Sequence, residues 1–112
     1  MSKNSIGEFE EIVMLTVAVL YSNAYGISIK ESIESRLRRN VSVGAMRTAL
    51  NRLENKGLLE SEFGEATAIR GGKRKRYFKV TPFGKKVLEQ VMQDRQQLWD
   101  AIPPLAFDFQ IQ

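Results

Sequence analysis

Four residues between positions 44 and 51 combine types and spacings that suit hydrogen bonding to the edges of nucleic-acid bases. Gly44, Arg47, Thr48 and Asn51 share one face of a helix, because they are three or four residues apart. A guanidinium suits a guanine edge and a side-chain amide suits an adenine edge. The small residues would let the helix backbone come close to the base pairs. This pattern is typical of a helix that enters the major groove of DNA.

A basic run lies further along the chain, in a segment that also contains two adjacent glycines. Its cationic residues are Arg70, Lys73, Arg74, Lys75 and Arg76. Cations in a short segment can neutralise phosphates. The run therefore predicts contacts with the DNA backbone or with the neighbouring minor groove.

Positive charge is confined to two segments, although the net charge of the 112 residues is only +4. Residues 30–56 carry seven Lys and Arg against three acids, and residues 64–79 carry six against one. The rest of the chain is acidic on balance. Such segregation fits a partner with a fixed line of negative charge, such as double-stranded DNA.

Enzyme chemistry finds little support in the composition. The chain has no cysteine and no histidine, which excludes a disulfide framework and a Cys nucleophile and removes the commonest general base. Glu8, Glu10 and Glu11 complement the dipole of a helix start, and the three aspartates after position 90 lack metal-loop spacing. We expect a protein that is not an enzyme and that uses no metal or cofactor.

The sequence indicates neither a membrane span nor a secretion signal. The longest apolar stretch, 12–21, is shorter than the roughly 20 residues that a spanning helix needs. The first residues lack the basic and apolar regions of a signal peptide. We expect a cytoplasmic protein of one domain, without a membrane partner.

Hydrophobic periodicity predicts four helices and one hairpin. Ser42 and Thr81 are N-cap candidates. Gly26 is expected in a loop, where glycine is free to take a positive φ. The tail, 105–112, alternates apolar and polar residues and is expected to pack as an extended arm or to remain loose. The predicted bounds are about 8–22, 28–38 and 42–57 for the first three helices, 58–63 and 75–80 for the strands, and 82–102 for the last helix.

This order of elements predicts an α+β, mostly α fold, because a basic hairpin directly after a helix-turn-helix is the layout of a winged helix. We predict a winged helix-turn-helix DNA-binding domain with three helices and a two-stranded wing over residues 1–81. A C-terminal dimerisation helix over 82–102 and a tail over 103–112 follow. The candidate DNA-binding residues are Ser42, Gly44, Arg47, Thr48, Asn51, Arg70, Lys73, Arg74, Lys75 and Arg76.

The first and last helices carry more apolar surface than one small domain can bury, so a second copy of the chain is the expected cover. The candidate dimerisation residues are Leu15, Leu88, Val91, Arg95, Leu98, Trp99 and Ile102. Within that seam, Arg95 is expected to pair with an aspartate of the partner at position 94 or 100, or to extend into solvent.

Residues 9–91 resemble the PadR-type transcriptional regulators, a winged helix-turn-helix family, in its short type with one C-terminal helix. The resemblance rests on Ala24–Ile29, Ser42–Leu59, Gly71–Thr81 and Gly84. The chain departs from the family where Met46 and Arg47 replace the usual Leu-Tyr, and where Gly71–Arg74 replaces a proline-containing wing motif.

The resemblance implies a homodimer whose last helix docks against the first and last helices of the partner. It implies a regulator, commonly a repressor, and a palindromic operator would present its two major grooves about 34–36 Å apart. Some members bind small aromatic compounds at the dimer centre, which makes Trp99 a candidate ligand residue. The alternative role of Trp99 is plain packing in the dimer core, which is the commoner fate of a buried aromatic.

One alternative function is a winged helix that serves as a protein-protein interaction module without operator binding. It would require an exposed apolar patch, and the apolar positions of the tail between residues 105 and 111 are the feature in its favour.

Overall fold

Four α-helices and one antiparallel hairpin form the fold of the chain over residues 6–64 and 74–109, which are the residues that the structure, a computed structural model, describes. The predicted order of elements and the mostly helical α+β class are confirmed. The elements are α1 (Glu8–Leu20), α2 (Gly26–Leu37), α3 (Val43–Asn55), β1 (Leu59–Phe63), β2 (Arg76–Val80) and α4 (Pro82–Ala101). Short 3-10 turns follow α1 (Tyr21–Asn23) and α4 (Pro104–Phe107).

One apolar core joins the first three helices, the hairpin and the start of α4. Its buried side chains are Val13, Met14, Val17, Ala24, Ile29, Ile33, Val41, Met46, Ala49, Leu50, Leu53, Leu58, Leu59, Phe78, Val87 and Leu88. They recur at helical spacing on α1, α2 and α3, so each of these helices turns one stripe inward. Ala18 and Val19 near the end of α1 remain exposed. A single chain therefore covers only part of the apolar surface of α1.

Helix boundaries follow the capping residues. The Ser42 hydroxyl accepts a hydrogen bond from the Ala45 N–H (3.0 Å) at the start of α3, as predicted for an N-cap. At the end of α3, Gly57 takes a φ of +77°. The expected loop at Gly26 was wrong, because Gly26 is the first residue of α2. Left-handed backbone occurs instead at Arg38, with a φ of 55°, where α2 ends.

The hairpin strands pair in antiparallel register, with Leu59 opposite Val80 and Phe63 opposite Arg76. The Phe78 N–H donates to the Ala24 carbonyl (2.8 Å), which ties the outer edge of β2 to the segment before α2. The hairpin is thus fixed to the helices at its base. Gly64 is the last described residue on one side of its tip, and Arg74 is the first on the other.

Three glutamates in the first turn of α1 each bind a cation from a different segment. Glu8 pairs with Arg39 after α2 (3.1 Å), Glu10 with Lys56 after α3 (3.0 Å), and Glu11 with Arg95 of α4 (2.8 Å). The helix dipole also favours these carboxylates. Complementing the dipole was their only predicted role, and the structure adds that each of them forms an ion pair with a segment distant in sequence.

The tail differs from the expected extended or loose arm, since Pro104–Phe107 forms a 3-10 turn. The Ala106 N–H donates to the Pro103 carbonyl (2.9 Å), and proline fixes the φ that starts such a turn. The rings of Trp99 and Phe107 lie 6.3 Å apart between centroids. The tail therefore turns back toward α4.

The start of α4 is fixed to the base of the hairpin. The Thr81 hydroxyl accepts from the Gly84 N–H (2.9 Å) and donates to the Gly57 carbonyl (2.6 Å). From Met92 to Ala101 every residue of α4 is exposed, so the second half of α4 extends beyond the core. In the described part of the chain, no helix has both the length and the apolar character needed to cross a bilayer.

We expect Gly84→Ala to destabilise the fold by about 1–3 kcal/mol, as overpacking does. An added Cβ would collide with the backbone carbonyl of Leu58 and lie 2.9 Å from a Val80 methyl. Urea denaturation measures the loss. Gly44→Ala is the matched control, since its added Cβ would meet nothing within 4 Å. Equal effects of the two substitutions would contradict the close approach of α4 to the hairpin.

Candidate nucleic-acid interface

The outward face of α3 carries the residues that were predicted to contact base edges. Met46, Ala49, Leu50 and Leu53 are buried on the inward face. The outward set, Gly44, Arg47, Thr48 and Asn51, is exposed together. Since α3 has no acid before Glu54, its exposed face presents cations and neutral hydrogen-bonding groups to a partner.

Sequence reasoning missed Arg52, which is exposed on the same helix. It lines a groove of about 750 Å³ between α3 and the start of α1, together with Thr48, Phe9 and Glu8. The sequence could have indicated Arg52, because it lies four residues after Thr48 and so extends the same face of the helix. Arg52 adds a second cation to that of Arg47 on the surface of α3.

Ser42 is exposed at the beginning of α3, and its oxygen is occupied as the acceptor of the cap. A hydroxyl can donate while it accepts. Ser42 can therefore cap the helix and still donate a hydrogen bond to a phosphate oxygen.

The turn between α2 and α3 is fixed by one carboxylate. Glu34 accepts hydrogen bonds from the Val41 N–H (3.1 Å) and from the Lys30 ammonium (3.1 Å). The Val41 hydrogen bond, followed by that of Lys30, lowers the pKa of the Glu34 carboxyl below its ordinary value. Because Val41 lies just before the α3 cap, the ionised form of Glu34 helps to position α3.

The base of the wing presents Arg74, Lys75 and Arg76 as exposed residues. The predicted contacts Arg70 and Lys73 lie outside the described residues. The Lys75 ammonium lies 4.2 Å from the centroid of the Tyr25 ring. The Arg76 guanidinium donates to Glu54 (2.6 Å) and is already occupied within the chain. Arg76 therefore already has a partner in its own chain, and its contact with a phosphate stays a prediction.

The six apolar candidate dimerisation residues divide into three groups by their exposure. Leu98 and Trp99 are strongly exposed, at 72% and 66%, while Leu15, Val91 and Ile102 are half-buried. Leu88, at 8%, belongs to the core of its own chain. An apolar surface therefore remains on the second half of α4, and Leu88 has little surface left to add to it.

Arg95 has an ion-pair partner in its own chain and stays 62% exposed, and its expected pairing with an aspartate of a partner subunit stays a prediction. Its guanidinium donates to Glu11 of the same chain (2.8 Å). The two aspartates considered for it accept instead from glutamines of α4, Asp94 from Gln90 (2.9 Å) and Asp100 from Gln96 (2.7 Å). Spacing along α4 could not reveal a partner 84 residues away.

Comparison with known proteins decides the family. The model of the transcriptional regulator PadR-like family matches residues 14–90, from the middle of α1 to the middle of α4. The chain belongs to the PadR-like family. The predicted resemblance is confirmed, and so are the predictions of a DNA-binding transcription regulator and of a protein that is not an enzyme.

Solved structures of PadR-like regulators are similar to this chain. A PadR-like transcription factor from Bacteroides fragilis is 28% identical, with 82% of this chain and 84% of that chain covered, at a TM-score of 0.69. A PadR family regulator from Clostridium difficile is 28% identical, with 82% and 92% covered, at 0.67. One from Eggerthella lenta is 27% identical, with 89% and 87% covered, at 0.67. No curated protein matches the chain significantly.

We expect Glu34→Gln in this PadR-like chain to lower stability near neutral pH and to have little effect in acid. The folded pKa of Glu34 is lowered, so its ionised form stabilises the fold above the unfolded-state pKa of about 4.3. That contribution is lost as the pH falls through the folded value. The melting temperature of the variant should therefore lie below that of the wild type at about pH 7, and the difference should disappear as the pH is lowered to about 3.

Glu31→Gln is the matched control for Glu34→Gln, because it removes the same charge from an exposed position of the same helix. A difference in melting temperature between wild type and Glu34→Gln that stays constant with pH would contradict the role of the ionised carboxylate in the turn.

Proposed function

We propose that this PadR-like regulator is a homodimeric repressor that binds a roughly palindromic operator. In this proposal α3 of each subunit enters a major groove, and the wing contacts the flanking backbone. The observation that carries it is the α3 face of Gly44, Arg47, Thr48 and Asn51, which is exposed and free of acids. The proposal includes a cytoplasmic location, because the similar PadR-like regulators come from bacteria, whose chromosome lies in the cytoplasm.

We propose a division of the chain into three parts. Residues 1–81 act as the DNA-binding domain, 82–102 as the dimerisation helix, and 103–112 as a tail. The exposed second half of α4 supports this division, because Leu98 and Trp99 remain largely exposed among the described residues. Such a patch is typical of a protein-protein interface.

We also propose that a small aromatic effector binds beside Trp99. The indole is 66% exposed and lies beside the Phe107 ring at a centroid distance of 6.3 Å. Aromatic faces favour a planar ligand by stacking. An effector that changed the angle between the two DNA-binding domains would need a coupling of only about 1–3 kcal/mol to regulate binding.

The direct test is binding to the DNA upstream of the protein's own gene and to a scrambled duplex, at several salt concentrations. A preference for the upstream DNA that persists as salt rises would support operator recognition. Equal binding to both duplexes, lost steeply with salt, would reflect electrostatic attraction alone. That result would favour the interaction-module alternative, for which the exposed Leu105, Phe107 and Phe109 provide an apolar surface.

Substitutions on α3 and on the wing should weaken DNA binding in different ways. Arg47→Ala and Asn51→Ala should each cost about 1–3 kcal/mol on the operator and relax the preference for one base pair. Removing the charges of Arg74 and Lys75 should weaken binding to every sequence and reduce the salt slope by about 0.9 per lost phosphate contact.

Competition titrations with single-base operator variants measure both effects. Unchanged base preference in the two α3 variants would show that this helix face does not contact base edges.

Leu98→Asp should dissociate the dimer, because it places a charge in the proposed apolar seam. Leu98 is exposed in the single chain, so the subunit itself should stay folded, which circular dichroism checks. Sedimentation equilibrium measures the mass. Gln93→Asp is the matched control, since it adds the same charge to an exposed position of α4 on the opposite side from the seam. An unchanged dimer in Leu98→Asp would place the interface elsewhere.

A further inference from the structure

A closed ring of three hydrogen bonds joins α3 to both strands of the wing. Arg76 Nη2 donates to Glu54 Oε1 (2.6 Å), the Ser61 hydroxyl donates to Glu54 Oε2 (2.6 Å), and Arg76 Nε donates to Ser61 Oγ (2.8 Å). Glu54 lies in the last turn of α3, Ser61 in β1 and Arg76 at the start of β2. Each of the three elements thus contributes one side chain to the ring.

The Arg76 guanidinium is also held by two aromatic rings of the hairpin. Its central carbon lies 5.9 Å from the Phe63 centroid and 5.5 Å from the Phe78 centroid. Planar guanidinium groups favour such aromatic contacts and two-point hydrogen bonding, and an ammonium cannot reproduce the fork of donors. The side chain is therefore fixed in orientation, and its charge is balanced by Glu54.

We propose that Glu54 and Arg76 are positioning residues, which set the angle between α3 and the wing so that both elements meet DNA together. Arg76 then makes no phosphate contact of its own. The role deepens the proposed operator recognition and rests on it. An angle fixed before binding lowers the entropy that the complex must lose, which raises affinity without a new contact.

A phosphate contact and a positioning role predict opposite results for conservative substitutions. Arg76→Lys keeps the charge, so a phosphate contact would retain most of its affinity. A positioning role needs the fork of Arg76, so Arg76→Lys should weaken DNA binding almost as much as Arg76→Gln does. Glu54→Gln should also weaken binding in the positioning role, whereas removal of an acid should strengthen a purely electrostatic interaction.

The experiment is a double-mutant cycle of DNA affinity with Glu54→Gln, Arg76→Gln and the two combined, on the upstream DNA and on a scrambled duplex. We expect each single change to lower affinity about tenfold, and the double variant to be no weaker than either. Couplings between contacting residues span roughly 2- to 150-fold. The salt slope should stay unchanged in Arg76→Gln. The reversed pair, Glu54→Arg with Arg76→Glu, should regain part of the lost affinity.

The matched control is the Glu60–Lys79 pair, which joins the same two strands at 3.3 Å and is exposed on both sides. Glu60→Gln and Lys79→Gln make the same charge changes without touching the ring. Thermal unfolding of every variant checks that each one is folded under the conditions of the binding measurement. If Arg76→Gln does not fold, Arg76→Lys is the milder substitution that still tests the role.

Two outcomes would overturn the positioning role. One is additivity, in which the double variant is about a hundredfold weaker, the product of two independent tenfold losses. The other is full affinity in Arg76→Lys with a lower salt slope in Arg76→Gln, which would restore Arg76 as a phosphate contact. Failure of the wild type to prefer upstream DNA would contradict operator recognition instead, and the cycle on the scrambled duplex would still report the coupling.

Discussion

The arrangement of the helices depends on the carboxylates at the start of α1. Glu8, Glu10 and Glu11 occupy one helical turn, where the backbone dipole favours negative charge. Their cations come from segments 31, 46 and 84 residues away along the chain. Glu10 and Glu11 are nearly buried, and a buried carboxylate is costly unless it is paired and hydrogen-bonded. Misplacement of α4 or of the end of α3 would therefore leave a buried carboxylate of α1 without its cation, whereas the exposed Glu8 would be hydrated.

Local patterns were enough to predict the elements and the outward face of α3. Apolar spacing, the Ser42 and Thr81 caps and the change to a period of two after Gly57 are properties of neighbouring residues, and the structure agrees with each. The same spacing that buries Met46 and Leu53 exposes Arg47 and Asn51. This part of the candidate site follows from helix geometry alone.

Long-range pairing was beyond such patterns. Arg76 and Arg95 are cations in segments where a partner molecule offered a simple explanation, yet both bind carboxylates of their own chain. No local period connects residue 11 with residue 95, and only the packed fold brings them together. The left-handed backbone at Arg38 was missed for a related reason, since residues other than glycine seldom adopt it.

The close approach of Gly84 to the Leu58 carbonyl fixes the direction in which α4 leaves the core. At 1.5 Å per residue, the 20 residues of α4 form an arm about 30 Å long. A tilt of about ten degrees at the base moves its tip by about 5 Å, which exceeds the roughly 3.4 Å rise between successive base pairs along one strand. A small change of angle at Gly84 is therefore amplified along α4 into a displacement larger than one base-pair step.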